Sequence, residues 1–198
     1  MKKLPNKYEN IFDIFIYKIV KKLDPYFRKW NFTPNQITTI GNIFGLIGIY
    51  KLYNGKYIES AIFYFIRYIF DCLDGYYARK YNEVSIFGDW YDHISDILIF
   101  ITYIVLLFFK NKKLFYRFII LLMIILYLMF IHFYYQELYY NNGNESPTLD
   151  YIKELVPKSL IPKNKQNLEN KLLITKYFGN GTMIILIILV LISYEYSS

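Results

Sequence analysis

Long apolar stretches alternate with short polar segments along this chain. Four apolar stretches precede residue 135 and a fifth lies near the carboxyl end, and they cover residues 37–53, 57–77, 86–109, 114–133 and 177–194. A helix needs about 20 residues to cross the roughly 30 Å hydrocarbon core of a bilayer, and apolar stretches of this length are typical of membrane-spanning helices. The pattern therefore predicts an all-α fold, a polytopic transmembrane helical bundle of about five to six spans.

The first 30 residues show a different, amphipathic periodicity. Apolar residues recur at helical spacing while the lysines lie off that stripe, the apolar set being Ile11, Phe12, Phe15, Ile16, Ile19 and Leu23. Such a helix either lies flat in the headgroup layer or packs against the bundle, and both interpretations stay open. A removable signal peptide is not expected, because no small-residue cleavage site follows the lysine-rich start.

The segment before the last apolar stretch is polar, rich in asparagine and interrupted by Pro147, Pro157 and Pro162. This composition favours a connecting loop, with one short interfacial helix near residues 149–155. The predicted organisation is a single integral-membrane domain over 1–198, with an interfacial helix at 1–30, a catalytic core at 31–135, a polar connecting loop at 136–176 and a last span at 177–198.

Composition and charge agree with a membrane protein. The chain is 55% hydrophobic and 21% aromatic, and its formal net charge is +7. Lysine and arginine are most frequent before the first span and after the even-numbered spans, so the positive-inside rule places the amino terminus in the cytoplasm, although Lys110, Lys112 and Lys113 argue the other way. The excess charge indicates affinity for anionic lipid, and no nucleic-acid partner is expected. A single cysteine, Cys72, excludes an internal disulfide.

Charged residues interrupt the apolar pattern in the stretch "DCLDGYYARKYNEVSIFGDWYDHISD", residues 71–96. Asp71, Asp74, Gly75 and Ala78 fall at i, i+3, i+4 and i+7, which places them on one face of a helix, and Arg79 lies one turn beyond Gly75. Arginine has a planar fork that suits phosphate oxygens.

The next predicted helix carries a second acidic face. Gly88, Asp92 and Asp96 fall at i, i+4 and i+8, so two carboxylates from each helix face one gap. Four ionised carboxylates in a partly dry site repel each other unless cations compensate them. Carboxylate oxygens without cysteine or clustered histidine select Mg²⁺ or Mn²⁺ over Zn²⁺, and four carboxylates suffice for two ions. The stretch therefore predicts a two-metal site that handles a diphosphate.

The spacing D-x2-D-G-x2-A-R-x8-G-x3-D-x3-D resembles the signature of the CDP-alcohol phosphotransferase family. Every fixed position of the signature is present, as Asp71, Asp74, Gly75, Ala78, Arg79, Gly88, Asp92 and Asp96. The resemblance implies a helical membrane fold and a cytoplasm-facing pocket. It also implies two divalent ions held by the four aspartates, and cleavage of a CDP-alcohol with release of CMP.

The stretch "TPNQITTIG" resembles the start of the first span in the same family. The resemblance implies that Asn35 and Thr38 reach the nucleotide, together with the glycines, Ala78, Arg79 and Asp71 of the signature. The alternative is simple helix capping by Thr33 or Asn35 beside Pro34.

Within the family, "GDWYDHISD" is most similar to the cholinephosphotransferase and ethanolaminephosphotransferase branch. There the resemblance suggests His93 as general base, oriented by Asp89 four residues earlier, with Asp96 the next candidate for the base. A packing role for His93 is the alternative. Family members usually have six core spans, and this branch is usually about twice as long as this chain.

The predicted function is transfer of the phospho-alcohol group of CDP-choline or CDP-ethanolamine to diacylglycerol, with release of CMP by direct in-line attack. One alternative is a phosphatidyltransferase that uses CDP-diacylglycerol and a polar alcohol such as inositol or glycerol phosphate, for which Arg67 is the candidate extra cation. An ion transporter with intramembrane aspartates and a purely structural membrane protein are alternatives of other classes. Expected partners are the CDP-alcohol, a lipid acceptor and membrane lipids of an endoplasmic-reticulum-type or bacterial inner membrane, and a homodimer is left open.

Overall fold

The computed structural model describes residues 4–140 and 156–197. Its α-helices are α1 Ile11–Lys29, α2 Pro34–Tyr53, α3 Tyr57–Tyr81, α4 Ile86–Lys110, α5 Lys112–Tyr140, α6 Lys165–Thr175 and α7 Asn180–Glu195, with 3₁₀ turns at Lys158–Leu160 and Lys176–Phe178. Over these described ranges no strand occurs, so the all-α prediction is confirmed there. The short helix predicted near residues 149–155 lies outside them.

Three segments are long and apolar enough to cross a membrane, namely Ile86–Lys110, Lys112–Tyr140 and Lys165–Glu195. They correspond to the third, fourth and fifth predicted spans. Helices α2 and α3 form where the first two spans were predicted, but they carry more polar and charged side chains and do not reach the same apolarity. Their assignment as spans stays a prediction.

Local side-chain chemistry sets the helix ends beside the acidic residues. Thr33 and Gln36 form a reciprocal capping box at the start of α2, with Pro34 in the first turn, which confirms capping by Thr33. The hydroxyl of Ser85 caps α4 by accepting from the Gly88 amide at 3.0 Å. Asn82 ends α3 in the left-handed conformation, φ 57°. The short connection 82–85 therefore brings the end of α3 close to the start of α4.

Glycines let α2 approach both neighbouring helices closely. A Cβ at Gly41 would lie 3.0 Å from the Cβ of Phe70 on α3, and a Cβ at Gly48 would overlap the Tyr103 hydroxyl of α4. Ser60 of α3 also donates to the Gly48 carbonyl at 2.8 Å. Any larger side chain on this face of α2 would push α2 away from α3 and α4, the helices that carry the acidic residues.

The first of two compact units comprises Phe15–Ile119 and Ile184–Ser198, and all the predicted site residues belong to it. Within this unit one face of α1 is buried through Ile16 and Val20, whereas Phe15 remains 59% exposed. The prediction that the amphipathic helix α1 packs against the bundle is thus confirmed for the face that carries Ile16 and Val20. Contact of the exposed face with the headgroup layer stays a prediction.

The second compact unit comprises Lys2–Ile14 and Ile120–Met183. Its hydrophobic core is built from Leu4, Tyr8, Ile131, Tyr134, Tyr135, Val156, Leu168 and Leu172. The predicted connecting loop 136–176 is wrong where α5 continues to Tyr140 and where α6 forms. Helix α6 forms because Asn164 caps it, with its side chain 2.8 Å from the Asn167 amide, and because Leu168 and Leu172, four residues apart, are buried.

Candidate metal centre

Three of the four predicted metal ligands meet across the gap between α3 and α4. Asp71, Asp92 and Asp96 each present a carboxylate oxygen, and these oxygens lie within 4.8 Å of one another. Two unit negative charges at this separation repel by about 3 kcal/mol at an effective dielectric constant near 20. Such a group therefore requires positive charge, and an all-carboxylate ligand set fits Mg²⁺ or Mn²⁺.

The fourth predicted ligand, Asp74, lies outside this group of three and is held by α2. It is buried, and its Oδ2 accepts a hydrogen bond of 2.6 Å from the hydroxyl of Thr38. Thr38, expected to reach the nucleotide, directs its hydroxyl to Asp74 in this structure, and its contact with a nucleotide stays a prediction. The reason for the contact with Asp74 is the close α2–α3 packing, which brings the first turns of α2 beside the last turns of α3. Metal binding by Asp74 stays a prediction.

Arg67 forms an ion pair with Asp96, joining α3 to α4 through Nη2 and Oδ1. Its side chain is 7% exposed. Sequence reasoning considered Arg67 only as an extra cation for an acceptor and missed its pairing with a site aspartate. The signal was present, since an arginine one turn before Asp71 in an otherwise apolar segment needs an anionic partner.

Arg79 lies directly over Gly75, as the spacing of one turn predicts. A Cβ at Gly75 would lie 3.1 Å from Nη1 and 3.2 Å from Nη2 of Arg79. The absence of a side chain at Gly75 therefore leaves the guanidinium room to lie along the helix. Ala78, the neighbouring small residue, is half-buried on the same helix.

Asn35 and Gly88 also come together. A Cβ at Gly88 would lie 2.8 Å from Asn35 Oδ1, so the start of α2 contacts the start of α4 at this glycine. Nearby, the hydroxyls of Thr39 and Tyr91 are 3.0 Å apart. The structure thus places Asn35 beside Gly88 of the signature, and its contact with a nucleotide stays a prediction.

His93 is exposed, and it lies beside two groups of Asp89. Its Nδ1 lies 2.7 Å from the backbone carbonyl of Asp89 and 3.7 Å from the Asp89 carboxylate. The carbonyl is the nearer of the two groups and the carboxylate lies within ion-pair distance, so orientation of the ring by this carboxylate stays a prediction. A carbonyl only accepts, so this contact requires the proton on Nδ1 and leaves the lone pair on Nε2.

Comparison with known protein families identifies the chain. The model of the CDP-alcohol phosphatidyltransferase family matches residues 31–152, more than half of the sequence. The chain belongs to this family. The family consists of transferases of phospholipid synthesis, and three segments of this member are long and apolar enough for a multi-pass integral membrane protein. Membership in this family argues against the ion-transporter and purely structural alternatives. The family is metal-dependent, and Asp71, Asp92 and Asp96 offer the ligands.

Among curated proteins, archaetidylinositol phosphate synthase of Pyrococcus horikoshii is similar to this family member. The two are 38% identical over 64 residues, which make up 32% of this chain and 34% of that protein. The alignment thus spans about a third of the relative's length. No solved structure matches the chain.

Proposed function

We propose that this enzyme transfers the phospholipid part of a CDP-activated glycerolipid to a phosphorylated polar alcohol, such as an inositol phosphate, and releases CMP. The observation that carries the choice of substrates is the 38% identity to archaetidylinositol phosphate synthase, whose name describes a product of this kind. The proposal follows the phosphatidyltransferase alternative of the sequence analysis. The substrates preferred in the sequence analysis were CDP-choline or CDP-ethanolamine as the donor and diacylglycerol as the acceptor. The proposal gives up both in favour of a CDP-activated glycerolipid and a phosphorylated alcohol.

The carboxylates of α3 and α4 would hold the divalent ions that neutralise the diphosphate of the donor. Asp71, Asp92 and Asp96 supply three ligands, and Asp74, held by Thr38, is the proposed fourth. Arg79 binds donor phosphate in this proposal, because its guanidinium lies along the helix over Gly75, within one turn of Asp74. Stabilising the charge of the diphosphate and aligning it are the main contributions such a site makes to phosphoryl transfer.

The transfer step requires one bond to form and one to break. The acceptor hydroxyl oxygen attacks the phosphorus on the lipid side of the diphosphate, and the bond from this phosphorus to the bridging oxygen breaks to release CMP. We assign His93 Nε2 as the atom that takes the hydroxyl proton, because the contact of Nδ1 with the Asp89 carbonyl leaves the lone pair on Nε2. Asp96 is the second candidate, and its Oδ1 already accepts from Arg67.

We place this site at the cytoplasmic face of the membrane. The argument is the distribution of lysine and arginine, which are frequent in the amino-terminal 30 residues and at the end of α3. Water-soluble acceptors such as inositol phosphate then reach the site from the cytoplasm, and the lipid donor reaches it from the surrounding bilayer. A homodimer remains an open alternative.

The test is a substrate panel with purified protein, detergent and Mg²⁺. The donors are CDP-diacylglycerol, its diether counterpart and CDP-choline, and the acceptors are inositol phosphate, inositol, glycerol phosphate and diacylglycerol. We expect CMP release, matched by a labelled phosphate-bearing lipid, with a CDP-glycerolipid and inositol phosphate. The Asp92→Asn variant is the control and should release no CMP.

Other patterns of product would contradict the proposal in distinct ways. Transfer from CDP-choline to diacylglycerol would restore the choline and ethanolamine branch, which the "GDWYDHISD" stretch resembles. Transfer to free inositol in preference to inositol phosphate would refute a phosphorylated acceptor while leaving the lipid donor intact.

A further inference from the structure

Arg67 is a buried cation among the site carboxylates. Its residue is 6% exposed, and its Nη2 binds Asp96 Oδ1. Its buried Nε has no hydrogen-bond partner among the described residues. Burying a guanidinium is unfavourable unless a counter-charge compensates it. The counter-charge of the buried Arg67 guanidinium is the carboxylate of Asp96, which is one of the candidate metal ligands.

The packing of α2 makes room for this arginine. A Cβ at Gly45 would lie 2.8 Å from Cδ and 3.1 Å from Nε of Arg67, and 2.7 Å from Cδ1 of Ile99. The glycine therefore lets the arginine side chain cross from α3 to α4. One turn further along the same face, a Cβ at Gly48 would be more crowded still, but its nearest neighbour is the Tyr103 hydroxyl and not Arg67.

The charges of this group are balanced only in part. Asp71, Asp92 and Asp96 carry three negative charges when ionised, and Arg67 reduces the sum to two. Without Arg67, a metal-free site would keep three carboxylate oxygens within 4.8 Å of one another and lose the cation that is ion-paired with Asp96.

We propose that Arg67 is the built-in counter-cation of the metal site. It holds Asp96 and compensates the carboxylates when no metal is bound, so that the protein keeps its fold before the metal arrives. Arg67 acts through Asp96 and is a positioning residue. The inference rests on the metal site of the proposed function, but it does not depend on which donor or acceptor the enzyme uses.

Thermal unfolding with and without metal tests this role. Purified Arg67→Gln in detergent should unfold at a clearly lower temperature than wild type in EDTA, and saturating Mg²⁺ should restore most of the loss, because the metal supplies the missing positive charge. If Arg67 served only packing, the loss would be equal in EDTA and in Mg²⁺. Equal losses, or no loss in EDTA, would overturn the proposal.

Two glycine variants form a matched pair that leaves every charge in place. Gly45→Ala displaces the arginine, so its loss of stability should be larger in EDTA than in Mg²⁺. Gly48→Ala crowds Tyr103 instead, and its loss of stability should be the same in EDTA and in Mg²⁺.

Arg67→Lys keeps the positive charge, and its unfolding temperature should respond to Mg²⁺ as that of wild type does. A Mg²⁺ response of Gly48→Ala as large as that of Gly45→Ala would contradict the assignment.

Mn²⁺ binding, measured by electron paramagnetic resonance, gives an independent readout. Arg67→Gln should bind Mn²⁺ at least about tenfold more tightly than wild type, because an uncompensated carboxylate attracts a divalent cation more strongly. Unchanged or weaker binding would refute the counter-cation role. The double variant Arg67→Gln, Asp96→Asn should unfold in EDTA at a higher temperature than Arg67→Gln alone, since it removes both members of the pair.

These measurements need neither a CDP-alcohol nor an acceptor. A failed substrate panel with metal-dependent Arg67 stability would refute the proposed substrates and leave the counter-cation role standing. The reverse result, lipid transfer without any metal-dependent effect of Arg67, would refute only the counter-cation role.

Discussion

At the scale of single residues, the site depends on hydrogen bonds that hold the aspartates in place. Thr38 donates to Asp74 at 2.6 Å, and both side chains are buried. A carboxylate oxygen that accepts from such a buried donor is held in one orientation. Thr38 thus orients an aspartate of the site, and its contact with a nucleotide stays a prediction.

Replacing Thr38 by valine removes this donor while keeping a branched side chain of similar size. We expect Thr38→Val to lower kcat at saturating Mg²⁺ by about tenfold or more, since hydrogen bonds to charged groups contribute about 1.5–3 kcal/mol. Thr39→Val is the control, because Thr39 is exposed and its hydroxyl donates to the Asn35 carbonyl at 2.8 Å. The kinetics of CMP release measure both variants, and equal effects would argue against a special role of Thr38.

At the scale of elements, α1 holds the end of α3 by polar contacts. Asp24 of α1, 1% exposed, forms an ion pair with Lys80. Arg28 binds Glu83, in the connection to α4, at 2.8 Å. The Tyr77 hydroxyl donates to the carbonyl of Phe32 at 2.8 Å. Helix α1 therefore fixes the part of α3 that follows the acidic residues.

The two members of the Asp24–Lys80 pair should differ in their contribution to stability. Lys80→Met leaves the buried carboxylate of Asp24 without its cation, and we expect the free energy of unfolding to fall by about 3 kcal/mol or more. Asp24→Asn leaves a neutral amide, while Lys80, 39% exposed at its side chain, reaches water, so its loss should be smaller.

Denaturant unfolding in detergent, with exposed Lys22→Met as the control, measures this difference. A loss for Asp24→Asn as large as that for Lys80→Met would show that the buried charge is not the cause.

At the scale of the whole molecule, the connections between consecutive helices report membrane orientation. If α2 and α3 both cross the membrane, the two ends of α3 lie on opposite sides of it. Asn54, in the connection before α3, is then on one side, and Val84, in the connection after α3, is on the other. Both residues are exposed. The positive-inside rule places Val84 in the cytoplasm.

Single cysteines test this orientation, because Cys72 is the only cysteine of the chain. In a Cys72→Ser background, an impermeant maleimide should label Val84→Cys only from the cytoplasmic side and Asn54→Cys only from the opposite side. Labelling of both positions from one side would show that α3 does not span the membrane, and the reversed pattern would refute the cytoplasmic site.

The sequence by itself determined the helical elements of the site and the faces on which its residues lie. Helical periodicity predicts that Asp92 and Asp96, four residues apart, lie on one face of α4, and that Asp71 lies on the signature face of α3. The short connection 82–85 makes these two helices neighbours. Capping by Thr33 was also predictable, because it depends on residues three positions apart. The polar composition of residues 136–176 concealed α6, whose apolar stripe is short.

Only the tertiary structure decided which side chains meet between helices. The spacing on α3 does not show that Arg67 turns to Asp96, that Asp74 receives the Thr38 hydroxyl, or that Lys80 reaches Asp24. Even within one helix, the sequence does not show that Nδ1 of His93 lies closer to the backbone carbonyl of Asp89 than to its carboxylate. The physical reason is that contacts across helices depend on how closely and in what register they pack, and here the glycines of α2 and the position of α1 set that packing.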